Sequence, residues 1–109
     1  MSAEVESVAV DRLRQEMPDR VGAPHYFAGE VTVPVEPARL LTICRFLRDD
    51  PSCHFELLSD LSGADFPDRE KRFQVVYHLT SVRHGIRLRL RVEVAEGEML
   101  PTVTSIWPG

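Results

Sequence analysis

No apolar run in this sequence approaches the roughly 18 residues that a membrane-spanning helix needs, so an α-helical integral membrane protein is not expected. The opening residues Met1–Ser7 carry Glu4 and Glu6 and lack both a basic segment and an apolar core. No secretory signal or Arg-rich transit peptide is therefore expected, and the chain should stay in the compartment where it is made. Cysteine is scarce. Cys44 and Cys53 are too few and too oddly spaced for a disulfide framework, and a reduced, cytosolic setting is the simpler expectation. Positive charge is in deficit: 13 Lys and Arg against 17 Asp and Glu leave a net charge of −4, where a general nucleic-acid binder carries a basic surplus. Internal repeats and low-complexity linkers are missing. Neither G-x-G-x-x-G after a strand nor G-x-x-x-x-G-K-S/T occurs, and no nucleophile elbow or glycine-rich oxyanion loop is found.

What remains is 109 residues, 43% hydrophobic and 28% charged, the profile of one globular domain. A first helix is expected over about Ala3–Met17. Val5, Val8, Ala9 and Leu13 form its apolar stripe, Ser2 its N-cap, and Glu4 and Glu6 complement the helix dipole. Pro18 stops it. Two short strands follow, near His25–Phe27 and over Glu30–Val35, joined by a turn at Ala28-Gly29. Pro34 cannot donate to a ladder and belongs at an edge or a strand end. A second helix opens at Pro37 and repeats Leu40, Ile43, Cys44 and Leu47 at helical spacing, with Arg39, Arg45 and Arg48 on its wet side; Asp50-Pro51 ends it.

The period then changes from 3.6 to 2. In Phe55–Leu61 one face carries Phe55, Leu57 and Leu61, opposite His54, Glu56 and Asp60. In Arg72–Thr80 Phe73, Val75, Tyr77 and Leu79 alternate with Gln74, Val76, His78 and Thr80. In Gly85–Val94 Ile86, Leu88, Leu90, Val92 and Val94 alternate with Arg87, Arg89, Arg91 and Glu93. His84-Gly85 is a hairpin turn, and Ser62–Lys71 reads as a loop. Helix, two strands, helix, three strands is an α+β order, built as two layers with an antiparallel or mixed sheet. The second sheet face, carrying the arginine row, has no helix to cover it.

Chemistry is harder to find. Cys44 sits on the buried stripe of the second helix, and Cys53-His54 point to opposite sides of a strand start, which does not suit a shared metal ion. His25, His54, His78 and His84 belong to no catalytic signature. The row Arg87/Arg89/Arg91 is either a platform for a protein partner or a set of cations paired with acids such as Glu56 and Asp60. The long loop around Asp65-Phe66-Pro67-Asp68-Arg69 sets an apolar tip among charges, which suits either docking or plain solvation. Trp107 needs a surface to lie on, either on another subunit or in chain beyond Gly109. The segment 1–94 is expected as the domain proper and 95–109 as a tail.

Three blocks in order carry a resemblance: Leu58-Ser59-Asp60-Leu61-Ser62-Gly63-Ala64-Asp65-Phe66-Pro67, then Arg72-Phe73-Gln74-Val75-Val76-Tyr77-His78-Leu79, then Pro101-Thr102-Val103-Thr104-Ser105-Ile106-Trp107-Pro108. Together with Arg87-Leu88-Arg89-Leu90-Arg91-Val92 they resemble the 30 kDa (C-type) subunit family of proton-translocating NADH:quinone oxidoreductase, respiratory complex I. The resemblance covers about Phe46–Gly109. The family's Glu-Arg-Glu segment would begin just past Gly109, so this chain corresponds to the N-terminal α/β domain.

The resemblance implies a two-layer α/β sandwich, with a mixed five-stranded sheet and helices on one face. It also implies a non-catalytic structural subunit in the peripheral arm, on the cytoplasmic side of the bacterial inner membrane and touching the membrane only through the complex. That protein would pack beside the 49 kDa and iron–sulfur subunits. The complex would use FMN, iron–sulfur clusters and quinone, none of them held by this chain. Candidate docking residues are then Arg87, Arg89, Arg91, Asp65, Phe66, Asp68, Arg69 and Trp107. Related expectations are the equivalent domain of an energy-converting hydrogenase or F420-linked dehydrogenase. From other classes come a free-standing binding module, an enzyme using His54 and His78, and a nucleic-acid module using the arginine row.

Overall fold

The computed structural model describes residues 7–19 and 21–107. Helix α1 runs Val8–Glu16 and is capped by Ser7, whose backbone is extended and whose side-chain oxygen accepts the Val10 N–H at 3.2 Å. That contact satisfies one of the amide donors a helix start leaves orphaned. The expected cap Ser2, with Glu4, Val5 and Glu6, lies outside the described residues. The buried stripe is Ala9, Val10 and Leu13, while Val8, expected within it, is 47% exposed.

Strands β1 (His25–Phe27) and β2 (Glu30–Pro34) pair antiparallel through Ala28 and Gly29, at φ +53° and +81°. Two successive left-handed residues match the right-handed twist of a two-residue hairpin, and glycine takes one of them without steric cost. Pro34 stands at the end of β2. One turn of 3₁₀ helix, Pro37–Arg39, leads into α2 (Leu40–Asp49), whose stripe Leu40, Ile43, Cys44 and Leu47 is wholly buried. The remaining strands are β3 (Leu57–Asp65), β4 (Phe73–Ser81) and β5 (Ile86–Val94).

The sheet order is β1-β2-β5-β4-β3, with β2 parallel to β5 and every other pair antiparallel. This is the expected mixed five-stranded α+β sandwich. Val31, Val33 and Val35, with Tyr77 and Leu79 and with Leu88, Leu90, Val92 and Val94, join both helical stripes in one core, so the helices cover a single sheet face. Arg12 of α1 reaches Asp50 at the end of α2 with two hydrogen bonds, Nε to Oδ2 at 3.2 Å and Nη2 to Oδ1 at 2.9 Å. This pairing holds the Asp50 carboxyl below the usual carboxylate range.

Two expectations change. Ser62–Asp65 is strand rather than loop: β3 pairs with β4 through Asp65, so the connection shortens to Phe66–Arg72. Small and polar residues suit an edge strand, because one of its sides faces water. The second change concerns the chain end. Val103, Ile106 and Trp107 are buried in this same core, and the Trp107 Nε1–H donates to the Phe55 carbonyl at 2.9 Å. Trp107, expected to lie on another subunit or on further chain, thus finds its surface within its own domain. Residues past Val94 contribute to the core instead of trailing from it.

Replacing Trp107 with Ala should lower the unfolding free energy by about 3–5 kcal/mol, as large-to-small core changes do. Trp107→Phe, which keeps most packing and removes the N–H donor, should cost about 1 kcal/mol. Urea unfolding followed by far-ultraviolet circular dichroism checks both, and an effect on Trp107→Ala below about 1 kcal/mol contradicts this packing.

Candidate functional site

Because β5 alternates strictly, burying Leu88, Leu90 and Val92 sends Arg87, Arg89 and Arg91 to the opposite face. Register places Arg87 opposite Thr80, Arg89 between His78 and Thr32, and Arg91 between Val76 and Pro34. The row therefore occupies the middle of the uncovered face. Its ion pairs are not the ones expected. Arg89 Nη1 lies 3.0 Å from Glu30 Oε1, and Arg91 Nε lies 3.9 Å from Glu93 Oε2. Glu56 instead accepts the Val82 N–H and meets His54 Nδ1 at 3.0 Å, while Asp60 accepts the Leu61 N–H. The reason is topological: Asp60 sits opposite His78 on β4, one strand away from β5.

Arg87 is exposed and makes no ion pair among the described residues. The Nε atoms of Arg89 and Arg91 are shut off from solvent yet have no hydrogen-bond partner, and a buried unpaired donor is costly. Beside the row a groove of about 950 Å³ opens at one end of the sheet, lined among others by Phe27, Glu30, His78, Arg87 and Arg89. Phe27 is 70% exposed there. A smaller hollow of about 520 Å³ lies near Arg91, Glu93, Lys71 and Glu98.

The loop residues expected to dock are tied into the chain. Asp65, at the end of β3, binds Arg72 with Oδ1 at 2.8 Å from Nε and Oδ2 at 3.2 Å from Nη2, and its carboxyl is held low by that bond. The Arg69 guanidinium lies 4.1 Å from the centre of the Phe66 ring, and the Arg69 N–H donates to the Phe66 carbonyl. Asp68 is exposed. The loop is thus a compact knob at one end of the sheet, linked to the arginine row through Glu93, whose Oε2 lies 4.0 Å from Arg69 Nη1 and 3.9 Å from Arg91 Nε. Trp107 faces inward and belongs to neither surface.

The groups that could carry covalent chemistry point elsewhere. Burial pushes the Cys44 thiol up to about 12. Burial, with Asp50 adjacent, does the same to Cys53, so neither is a thiolate at neutral pH. His54, at φ +47°, stands edge-on to His84 with ring centres 6.3 Å apart, and His84 Nε2 donates to the Pro51 carbonyl at 2.8 Å. His78 lies on the open face beside Arg89, away from that pair. Among the described residues no group of three or more His, Cys, Asp or Glu is arranged to hold a metal ion, and no helix is long and apolar enough to cross a membrane.

Reading the residues alone missed Phe27, Leu57 and Leu61 as exposed apolar side chains, and Glu30 as the partner of Arg89. The alternation in β3 looked like a core face. The signal that could have corrected it is the small, polar run Ser62-Gly63-Ala64, which suits an outer strand.

A two-layer α+β domain with one polar, arginine-bearing sheet face defines the class, and the fold recurs in a solved respiratory assembly. The structure of the membrane-bound sulfane sulfur reductase (MBS), an archaeal respiratory membrane complex, holds a chain that superposes with TM-score 0.75 over 91% of this chain and 57% of its own length, at 19% identity. At that identity the likeness speaks for the fold alone. The sequence profile described as Respiratory-chain NADH dehydrogenase, 30 Kd subunit, matches residues 33–109, and the chain belongs to that family. It is 47% identical over 81 residues to the C-type NADH-quinone oxidoreductase subunit of Xanthobacter autotrophicus, covering 74% of this chain and 39% of that protein. Against the same subunit of Roseiflexus sp. it is 41% identical over 104 residues, 94% of this chain and 60% of the relative. The chain spans about half the length of the curated relatives it matches.

A thiol reagent such as Ellman's should leave both cysteines unmodified in the folded chain at pH 8 and label both after denaturation. Rapid labelling of either in the native state contradicts the buried, protonated thiols described above.

Proposed function

We propose that this chain is a non-catalytic structural domain in the peripheral arm of a proton-translocating NADH:quinone oxidoreductase, docking through the open sheet face. Its neighbours are the 49 kDa protein and the iron–sulfur subunits, on the cytoplasmic side of the bacterial inner membrane. The complex would use FMN, iron–sulfur clusters and quinone, none of them bound by this chain, which supports electron transfer from NADH to quinone by docking on those neighbours. Family membership supports the assembly, and the names of the relatives favour it over a hydrogenase or an F420-linked enzyme.

The observation that carries the docking role is the arginine row itself. Three cations stand in the middle of a sheet face without a helix over it, and Arg87 is exposed with no ion pair among the described residues. Carboxylates or carbonyls of a partner would form charge-assisted bonds with the Arg87 guanidinium and with the parts of Arg89 and Arg91 that reach water, their Nε atoms being closed off. Their planar, directional geometry suits a protein surface, and the net charge of −4 disfavours a polyphosphate backbone.

Arg87→Glu tests this better than Arg89→Glu, because reversing Arg89 also sets a second carboxylate against Glu30. The variant should keep its circular dichroism and melting temperature. Its recovery with the other subunits from solubilised membranes should fall by about tenfold or more, the equivalent of about 1.4 kcal/mol. Recovery equal to the parent chain, with Arg87→Ala also neutral, contradicts docking through this face.

A further inference from the structure

The sheet ends on one side in β3, nine residues long, and on the other in β1, only three. A long edge strand leaves a row of backbone N–H and C=O groups open, and natural proteins protect such edges with lysine, proline, strong bulges or short length. β3 has little of this. It holds neither lysine nor proline, and its one irregularity, between Leu58 and Asp60, turns the Ser59 hydroxyl inward to the His78 carbonyl. From Ser59 to Asp65 every residue is exposed. The strand also shows water two large apolar side chains, Leu57 at 45% and Leu61 at 53% exposure, which the sheet register places on opposite faces.

Charge selects among possible occupants. The only charged side chains on β3 are Asp60 and Asp65. Asp65 is occupied by Arg72, whereas Asp60 is exposed and accepts only the N–H of its own neighbour Leu61. A second copy would bring one acidic edge against another, from a chain that already carries net charge −4. An extended segment with a basic residue opposite Asp60 and an apolar one beside Leu61 meets both needs.

We infer that the free edge of β3 is a strand-addition site, which takes an extended, lysine- or arginine-bearing segment of a neighbouring protein in the assembly as a sixth strand of the sheet. Main-chain hydrogen bonds supply the affinity, and Leu57, Leu61 and Asp60 select the segment. This rests on the reading that the chain works inside an assembly. It uses the edge rather than the arginine face, and Leu61 lies on the side of the sheet away from Arg87.

Residue-resolved hydrogen exchange on the chain alone and in the assembled oxidoreductase tests it. In the assembly, alternate amides within 57–65, those turned away from β4, should exchange at least about 100-fold more slowly than in the isolated chain. Leu61→Lys, a change at an exposed position, should leave the isolated fold intact and abolish that protection. Three results overturn the inference: unchanged exchange along β3 in an intact assembly, protection retained in Leu61→Lys, or protection in the isolated chain that rises with concentration, which marks self-pairing. In the first two cases, assembly together with the loss caused by Arg87→Glu leaves the docking role standing. Failure of the parent chain to assemble removes both.

Discussion

The structure depends on the alternation within β5. This strand lies between β2 and β4, bonded on both sides, and every second residue from Leu88 to Val94 enters the core. A slip of one residue would exchange those aliphatic side chains for Arg87, Arg89 and Arg91, taking three guanidinium groups out of water without partners. That cost fixes the register of β5, and through it the parallel pairing with β2 and the antiparallel pairing with β4. Both helices then have one face to cover, and the arginine row is committed to the other.

From that commitment comes a division of the molecule by chemistry. Potentially reactive sulfur goes inward, where burial keeps both thiols protonated. Several charged groups outside the core are tied locally: Arg12 to Asp50, Arg72 to Asp65, Lys71 to Glu98. Two surfaces stand out from this pattern of self-satisfaction. One is the middle of the open sheet face, with exposed Arg87 and two unpaired arginine donors; the other is the long acidic edge of β3. They are different aspects of one sheet, its face and its edge.

Much of this was legible in the residues, for physical reasons that also explain the misses. Helix α2 and strand β5 carry unbroken periodicity with charges on the wet side, so their faces could be read directly. The start of helix α1 reads as Ser2, because a serine ahead of an apolar stripe is a competent cap; the described helix is instead capped by Ser7, whose side-chain oxygen takes the Val10 N–H. In β3, Leu57 and Leu61 look like one core face, but the irregularity between Leu58 and Asp60 puts them on opposite faces: Leu58 packs on the core, Leu57 stands on the open face, and Leu61 is half covered on the outermost strand. Glu30 could not be matched to Arg89 from spacing, because their approach comes from a parallel pairing between distant strands. Trp107 was recognised as needing cover. Its partner, the carbonyl of Phe55, is a backbone group that sequence pattern does not reveal.

The central claim is that the arginine face is covered when the chain is at work. Modification with an arginine-specific dicarbonyl reagent, read by mass spectrometry on the isolated chain and on the assembled complex, tests it most directly. Arg45, exposed on α2, serves as an internal reference. The account predicts that Arg87 reacts readily in the isolated chain and is protected in the complex. Equal labelling of Arg87 in both states would contradict it.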